Sequence, residues 1–299
     1  MRLLQTERMR RLLGLAPALG IIVVFMVVPI AIIVVFSFMK ADPYGGVDPQ
    51  FSLEAYKQFL FERNLMGEVV FNPAYLRIFG RSFFLALVTT LLCLAIGFPT
   101  AYYMSRQPAR RKNLMVFLVT IPFWTNLLIR AYCWILLLRD TGLINNFLIE
   151  WGIIDTPLTL LYTNFAIFLG LVYTHVPFMV LPIYARVEKL DFNLLEAAHD
   201  LYASRRQLMR HVILPLAAPG IIAGSLLVFV PCLGDFIIPN LLGGGKHLMI
   251  GSLIQLQFGP SRNWPFGSAA ALILMAFVLI AMMLYVRGPG RKLKLEGGG

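Results

Sequence analysis

Two charged residues stand where charge is costly. Asp235 and Arg130 each interrupt a long apolar run, and an ionisable side chain inside a membrane-length segment costs about 2.5–3.5 kcal/mol on insertion scales, so it normally faces a cavity or a partner. Phe236 follows Asp235, and Tyr132 and Trp134 follow Arg130. A carboxylate with aromatic faces beside it can hold an alkylammonium group through charge and cation–π contact. Asp235 and Arg130 could equally neutralise each other as an ion pair that fixes helix packing, or stand at the outer interface. All three readings are open at the level of sequence. A second constellation lies between two apolar runs. Asn193 precedes Glu196 by three residues, and Ser204 precedes Gln207 by three. These are capping-box spacings, and they predict two short helices over 194–201 and 205–211, meeting at Tyr202 and Ala203. The first carries Leu194, Leu195, Ala198 and Leu201 at helical spacing. Such a face suits either a solvated amphipathic loop or a surface on which a partner docks.

Signals for other chemistry are rejected. Gly243-Gly244-Gly245-Lys246 has the look of a phosphate loop, but His247 stands where Ser or Thr should follow the lysine and the earlier glycine is missing. His175, His199, His211 and His247 are scattered and suggest no ligand set. Cys93, Cys133 and Cys232 lie far apart in apolar runs and read as small buried packing residues. No nucleophile and base can be paired, so the chain reads as a non-enzyme without a metal or cofactor of its own. Any uphill work must draw on an ion gradient or on another subunit.

The elements that position these residues follow from composition. Of 299 residues 59% are hydrophobic and 14% charged, against about 25% charged in soluble domains, and the mean hydropathy is +0.75. A spanning helix needs roughly 20 apolar residues. Six spans are predicted: 15–38, 83–104, 114–138, 164–184, 219–239 and 266–285, the third interrupted only by Arg130. This excludes a soluble enzyme or a nucleic-acid binder, and the net charge of +11 becomes a topology signal. Seventeen Lys and Arg residues fall at the termini and in the second-to-third and fourth-to-fifth loops, and eight fall on the other side. By the positive-inside rule both termini are cytoplasmic. The first span follows a basic start and reads as an anchor, not a removable signal. The chain therefore divides into a cytoplasmic start (1–14), the first span, an extracytoplasmic loop (39–81), a five-helix core (82–286) whose fourth-to-fifth loop (185–217) is cytoplasmic, and a cytoplasmic end (287–299). Asp42-Pro43-Tyr44-Gly45-Gly46 predicts a turn in the outer loop, followed by a short amphipathic helix over 52–61. On helices straight from the cytoplasmic side, Asp235 and Arg130 rise about 24 and 25 Å from Pro219 and Asn113 at about 1.5 Å per residue, which places them at one depth.

Glu196-Ala197-Ala198-His199-Asp200-Leu201-Tyr202-Ala203, with Val212-Ile213-Leu214-Pro215 after it, resembles the EAA motif of ABC importer permeases. Tyr202 departs from the pattern, which has glycine there. Pro122-Phe123-Trp124-Thr125, Leu128-Ile129-Arg130-Ala131-Tyr132, Val176-Pro177-Phe178, Gly234-Asp235-Phe236, Leu242-Gly243-Gly244 and Trp264-Pro265-Phe266-Gly267 are similar to the permease subunits of spermidine/putrescine importers. The resemblance covers nearly the whole chain. It implies an all-α, six-span, MetI-like permease in a bacterial inner membrane, forming half of a translocation pathway for polyamines or for another small cationic or amino-acid-like solute. It further implies a second permease, two copies of a cytoplasmic ATPase that binds ATP and magnesium, and an extracytoplasmic substrate-binding protein. Glu196, Ala197, Ala198, Asp200 and Tyr202 would then couple to the ATPase. A secondary transporter would explain the spans but leaves the cytoplasmic helix pair without a purpose.

Overall fold

The computed structural model describes residues 14–18, 20–63, 68–190, 194, 196, 198 and 200–287. Within them five helices are long and apolar enough to cross a membrane, and a bent pair makes a sixth. They are α1 (Gly14–Ser37), α3 (Ala74–Ser105), the pair α4 (Ala109–Trp124) and α5 (Leu127–Leu138), α7 (Asn164–Val187), α8 (Arg205–Gly234) and α11 (Trp264–Arg287). Shorter helices are α2 (Glu54–Lys57), α6 (Leu143–Glu150), α9 (Ile237–Leu242) and α10 (Ile250–Phe258). The six-span, all-helical membrane architecture agrees with the sequence. Contacts divide the chain into two units, the described residues of Met1–Tyr75 with Ile254–Ala281, and those of Leu76–Leu253 with Met282–Gly299.

In the first unit, the loop after α1 differs from expectation. The helix expected over 52–61 is only Glu54–Lys57, and the rest is two antiparallel hairpins, β1 (Met39–Ala41) with β2 (Val47–Phe51) and β3 (Phe61–Arg63) with β4 (Val69–Phe71). Phe, Val and Tyr in 47–71 favour extended backbone, which outweighs a weak helical period. The turn signal is realised. The Asp42 carboxylate accepts from the Tyr44 N–H at 2.8 Å, and Gly45 and Gly46 take φ of +99° and +101°, where glycine carries no Cβ penalty.

In the second unit, α7 and α8 pack almost backbone to backbone. A Cβ on Gly220 would lie 2.8 Å from the Pro182 carbonyl oxygen, and one on Gly224 would lie 2.9 Å from Met179 Sδ and 3.1 Å from the Met179 carbonyl oxygen. Glycines four apart on one helix face permit this approach, which is how apolar helices gain van der Waals contact where lipid offers no hydrophobic drive. Around the seam Cys93, Ala101, Met104, Met179, Val180 and Ile183 form a buried core. Cys93 and Cys232 are buried as expected, whereas Cys133 is exposed on α5. Asn145 on α6 is buried and pins the following loop, exchanging two hydrogen bonds of 2.9 Å with the Leu158 backbone.

Two helices depart from straight spans. α4 and the segment Leu127–Glu150, which holds α5 and α6, are bent by 91° across Thr125 and Asn126. Pro122 cannot donate within its helix, and the Asn126 side chain caps α5 by accepting from the Leu128 N–H at 2.8 Å. Residues beyond the bend no longer rise along the axis of α4, so the common depth expected for Arg130 and Asp235 does not follow. The fifth span is not 219–239. α8 begins at Arg205, runs 30 residues to Gly234 and stops before Asp235.

Candidate functional site

The corner expected on the cytoplasmic side is built from Ala198 outward. Leu194, Glu196, Ala198 and Asp200 are helical, whereas Ala197, His199, Asn193 and Leu195 lie outside the described residues, so the first capping box is not described. Ala198 packs with Phe98 and Tyr102 of α3 against the buried Leu208 and Ile213 of α8. The Ala203 N–H donates to the Ala198 carbonyl at 3.0 Å and Tyr202 takes φ +57°, the bond and left-handed residue of a Schellman ending. The corner thus forms with tyrosine where the EAA pattern has glycine, at a cost of about 1–2 kcal/mol for an L-residue in that conformation.

The next helix starts on the expected second box. The Ser204 hydroxyl accepts from the Gln207 N–H at 3.4 Å, and the Gln207 side chain accepts from the Ser204 N–H at 2.8 Å. It does not end at residue 211 as expected. A π-helical turn, Met209–Ile213, carries it unbroken into the membrane-length part of α8. With its inner face covered, the corner presents Glu196 and Asp200 to the outside, together with Leu201 and Tyr202, 82% and 94% exposed. Nearby, Lys112 Nζ lies 3.0 Å from Glu188 and joins the start of α4 to the end of α7. That hydrogen bond, with one from Tyr184, holds the Glu188 carboxyl below the usual carboxylate range.

The pathway candidates are arranged differently from the ion-pair reading. Asp235 Oδ1 accepts from the N–H groups of Ile237 at 3.0 Å and Ile238 at 3.3 Å, so the carboxylate caps α9 at the break after α8. Its electrostatic neighbours include His175 on α7. His175 is buried, with Nδ1 2.9 Å from the Leu171 carbonyl. Scattered spacing hid His175 in the sequence. Its signal was its place among apolar residues on the span that packs against α8. Arg130 forms no salt bridge with Asp235. Its guanidinium carbon lies 5.9 Å from the centre of the Tyr173 ring, and its Nε is buried without an acceptor. Trp134 meets the same ring edge-on at 5.6 Å. Tyr132 and Phe236 are exposed. Four of the five residues therefore form two groups, Asp235 with Phe236 at the break and Arg130 with Trp134 on Tyr173, and Tyr132 belongs to neither.

α8 thus has the exposed corner at its start and the capped carboxylate at the break after its end. A family model described as binding-protein-dependent transport system inner membrane component matches residues 94–288. The spermidine/putrescine transport system permease protein PotB of Escherichia coli (strain K12) is 40% identical over 280 residues, covering 93% of this chain and 98% of that protein. PotB of Haemophilus influenzae is 40% identical over 278 residues, covering 92% and 93%. The inner membrane ABC transporter permease protein YdcU of Escherichia coli is 37% identical over 228 residues, 72% of each chain. A chain of a bacterial ABC transporter involved in the import of the acidic polysaccharide alginate superposes with a TM-score of 0.68 at 18% identity, covering 97% of this chain and 100% of that one, which supports the fold. This chain belongs to the binding-protein-dependent transport system inner membrane components, the permease subunits of ABC importers.

Proposed function

We propose that this permease forms half of a polyamine translocation pathway in a bacterial inner membrane, with both termini cytoplasmic. A second permease completes the pathway, two copies of an ATPase bind ATP and magnesium, and an extracytoplasmic binding protein delivers spermidine or putrescine. The observation that carries the coupling part is the corner itself. Ala198 is committed to Leu208 and Ile213, while Glu196, Asp200, Leu201 and Tyr202 face outward. Aromatic and aliphatic side chains at an exposed tip make anchors for a groove. Because α8 is continuous from Arg205 to Gly234, a displacement at the corner is passed along one helix to the break at Asp235.

Of the residues suggested for the pathway, Asp235 and Phe236 remain in the proposal as the group that attracts an ammonium, and Tyr132 remains as an exposed aromatic wall. Arg130 leaves it, since among the described residues its guanidinium has no counter-ion and so repels a cation, and Trp134 is engaged with Tyr173. The polyamine assignment rests on the likeness to PotB, and an importer for another small cationic solute is the competing reading. The test is reconstitution with the ATPase, second permease and binding protein, scoring ATP-dependent uptake of spermidine, putrescine and unrelated amines. Uptake of another cationic solute alone selects the competitor, and uptake without ATPase removes the importer mechanism.

A further inference from the structure

Beside the bend between α4 and α5 lies an open cavity of about 370 Å³ that the transport reading does not use. Its walls include Ile96 of α3, Val119 and Pro122 of α4, Trp134 of α5, and Tyr173 and Val176 of α7. They are almost wholly apolar. Arg130 stands one helical turn before Trp134, on the same face of α5, with its guanidinium over the Tyr173 ring that also lines the cavity. Among the described residues that guanidinium has no carboxylate and no hydrogen-bond acceptor, and its Nε is buried. An arginine in an apolar helix without an acceptor is costly, and the ring face meets only part of the need. The occupant that satisfies both features is an anion joined to an apolar chain.

We propose that this cavity is a phospholipid site, in which an acyl chain lies in the angle between α4, α5 and α7 and the phosphate accepts from the Arg130 guanidinium. The planar fork of arginine matches two phosphate oxygens. The apolar walls exclude free inorganic phosphate as the ligand, because it would fill no part of the cavity.

The experiment uses the assembled transporter in nanodiscs containing phosphatidylglycerol, with native mass spectrometry counting the lipids retained after mild delipidation. Arg130→Gln is expected to lower retention at this site about five- to tenfold, the size of one basic contact to an anionic headgroup, and Arg130→Lys to recover part of it. Ile96→Trp, which fills the cavity and leaves the charge in place, is expected to lower retention as well, and its partly exposed position makes loss of folding a lesser risk. Equal retention in wild type, Arg130→Gln and Ile96→Trp overturns the site. So does retention of oleate in place of phosphatidylglycerol, which would make the ligand a fatty acid. Loss of the second permease from the Arg130→Gln complex at unchanged lipid retention would assign the missing acceptor to that partner and overturn the proposal too.

Discussion

Asp235 has two tasks that a pair of substitutions separates. Its Oδ1 accepts from the N–H groups of Ile237 and Ile238, and asparagine caps about as well as aspartate, whereas alanine in place of a capping residue costs about 0.5–2 kcal/mol. Asp235→Asn therefore keeps the local backbone bonds and removes the charge. Asp235→Ala removes both. If the carboxylate attracts the substrate ammonium, Asp235→Asn loses one charged contact worth roughly 2–5 kcal/mol, a fall of about thirtyfold or more in apparent affinity at 1.4 kcal/mol per tenfold. The assay is uptake per assembled complex in proteoliposomes, with thermal stability measured in parallel. Asp235→Asn is expected to melt within a few tenths of a kcal/mol of wild type and to lose uptake, and Asp235→Ala to lose both stability and uptake. Adding Arg130→Gln to Asp235→Asn restores nothing, because no ion pair joins them. Normal uptake by Asp235→Asn would refute the charge role and leave Asp235 as a cap alone. Recovery in the double variant would refute the geometry.

Tyr202→Gly relieves about 1–2 kcal/mol of left-handed strain against about 0.4–1 kcal/mol of extra freedom in the unfolded chain, so the isolated subunit should melt at the same temperature or slightly higher. Tyr202→Ala should leave its stability unchanged, since the ring is 94% exposed. A clear destabilisation by either would show that the ring packs within the chain, while lost ATPase binding in both would locate its contact in the partner. Gly224→Leu drives a side chain into Met179, whose backbone oxygen and Cα lie 3.1 and 3.3 Å from the new Cβ, and should cost about 1–3 kcal/mol as overpacking; an unchanged thermal-shift midpoint would contradict the tight seam. Lys112→Ala tests the joint between α4 and α7. The Glu188 carboxyl lies below its ordinary range because of Lys112 and Tyr184, so its contribution is complete above the unfolded carboxylate pKa and is lost as pH falls through the folded one. The wild type should lose that increment between mildly acidic pH and the depressed value, and Lys112→Ala should show little of it; as a surface pair it is worth under about 1 kcal/mol.

What could be read in advance followed from averages over many residues. Membrane spans are such an average: twenty apolar positions outweigh any one exception, and α1, α3, α7 and α11 emerge close to where hydropathy puts them. Short hydrogen-bonded signatures were legible as well. Ser204 with Gln207 forms the capping box, and Asp42 closes its turn. The coordination of single side chains was not legible. Asp235 and Arg130 were matched by charge and by equal rise along straight helices, and one 91° bend removes that premise. A carboxylate next to a helix start has backbone N–H groups within reach at little entropic cost, so local capping competes with a distant guanidinium, and here it prevails. His175 was missed for a related reason. Histidines separated in sequence suggest no site until packing brings one helix against another.

The three places where local rules fail are also those that the proposed transport cycle needs. Tyr202 holds a glycine conformation, the third span bends at Thr125 and Asn126, and the fifth breaks at Asp235. Between them the seam of Gly220 and Gly224 on Met179 and Pro182 leaves α7 and α8 little freedom to slide. Close packing of this kind is bistable and does not deform continuously, so movement concentrates at the breaks. Natural sequences keep local conflicts mainly where function requires them. A tyrosine in a left-handed corner, a capped carboxylate at the end of a 30-residue helix and an unpaired arginine beside an apolar cavity are conflicts of that kind. In the proposed cycle each faces something outside the chain: a partner's groove, a cationic solute, or the lipid around it.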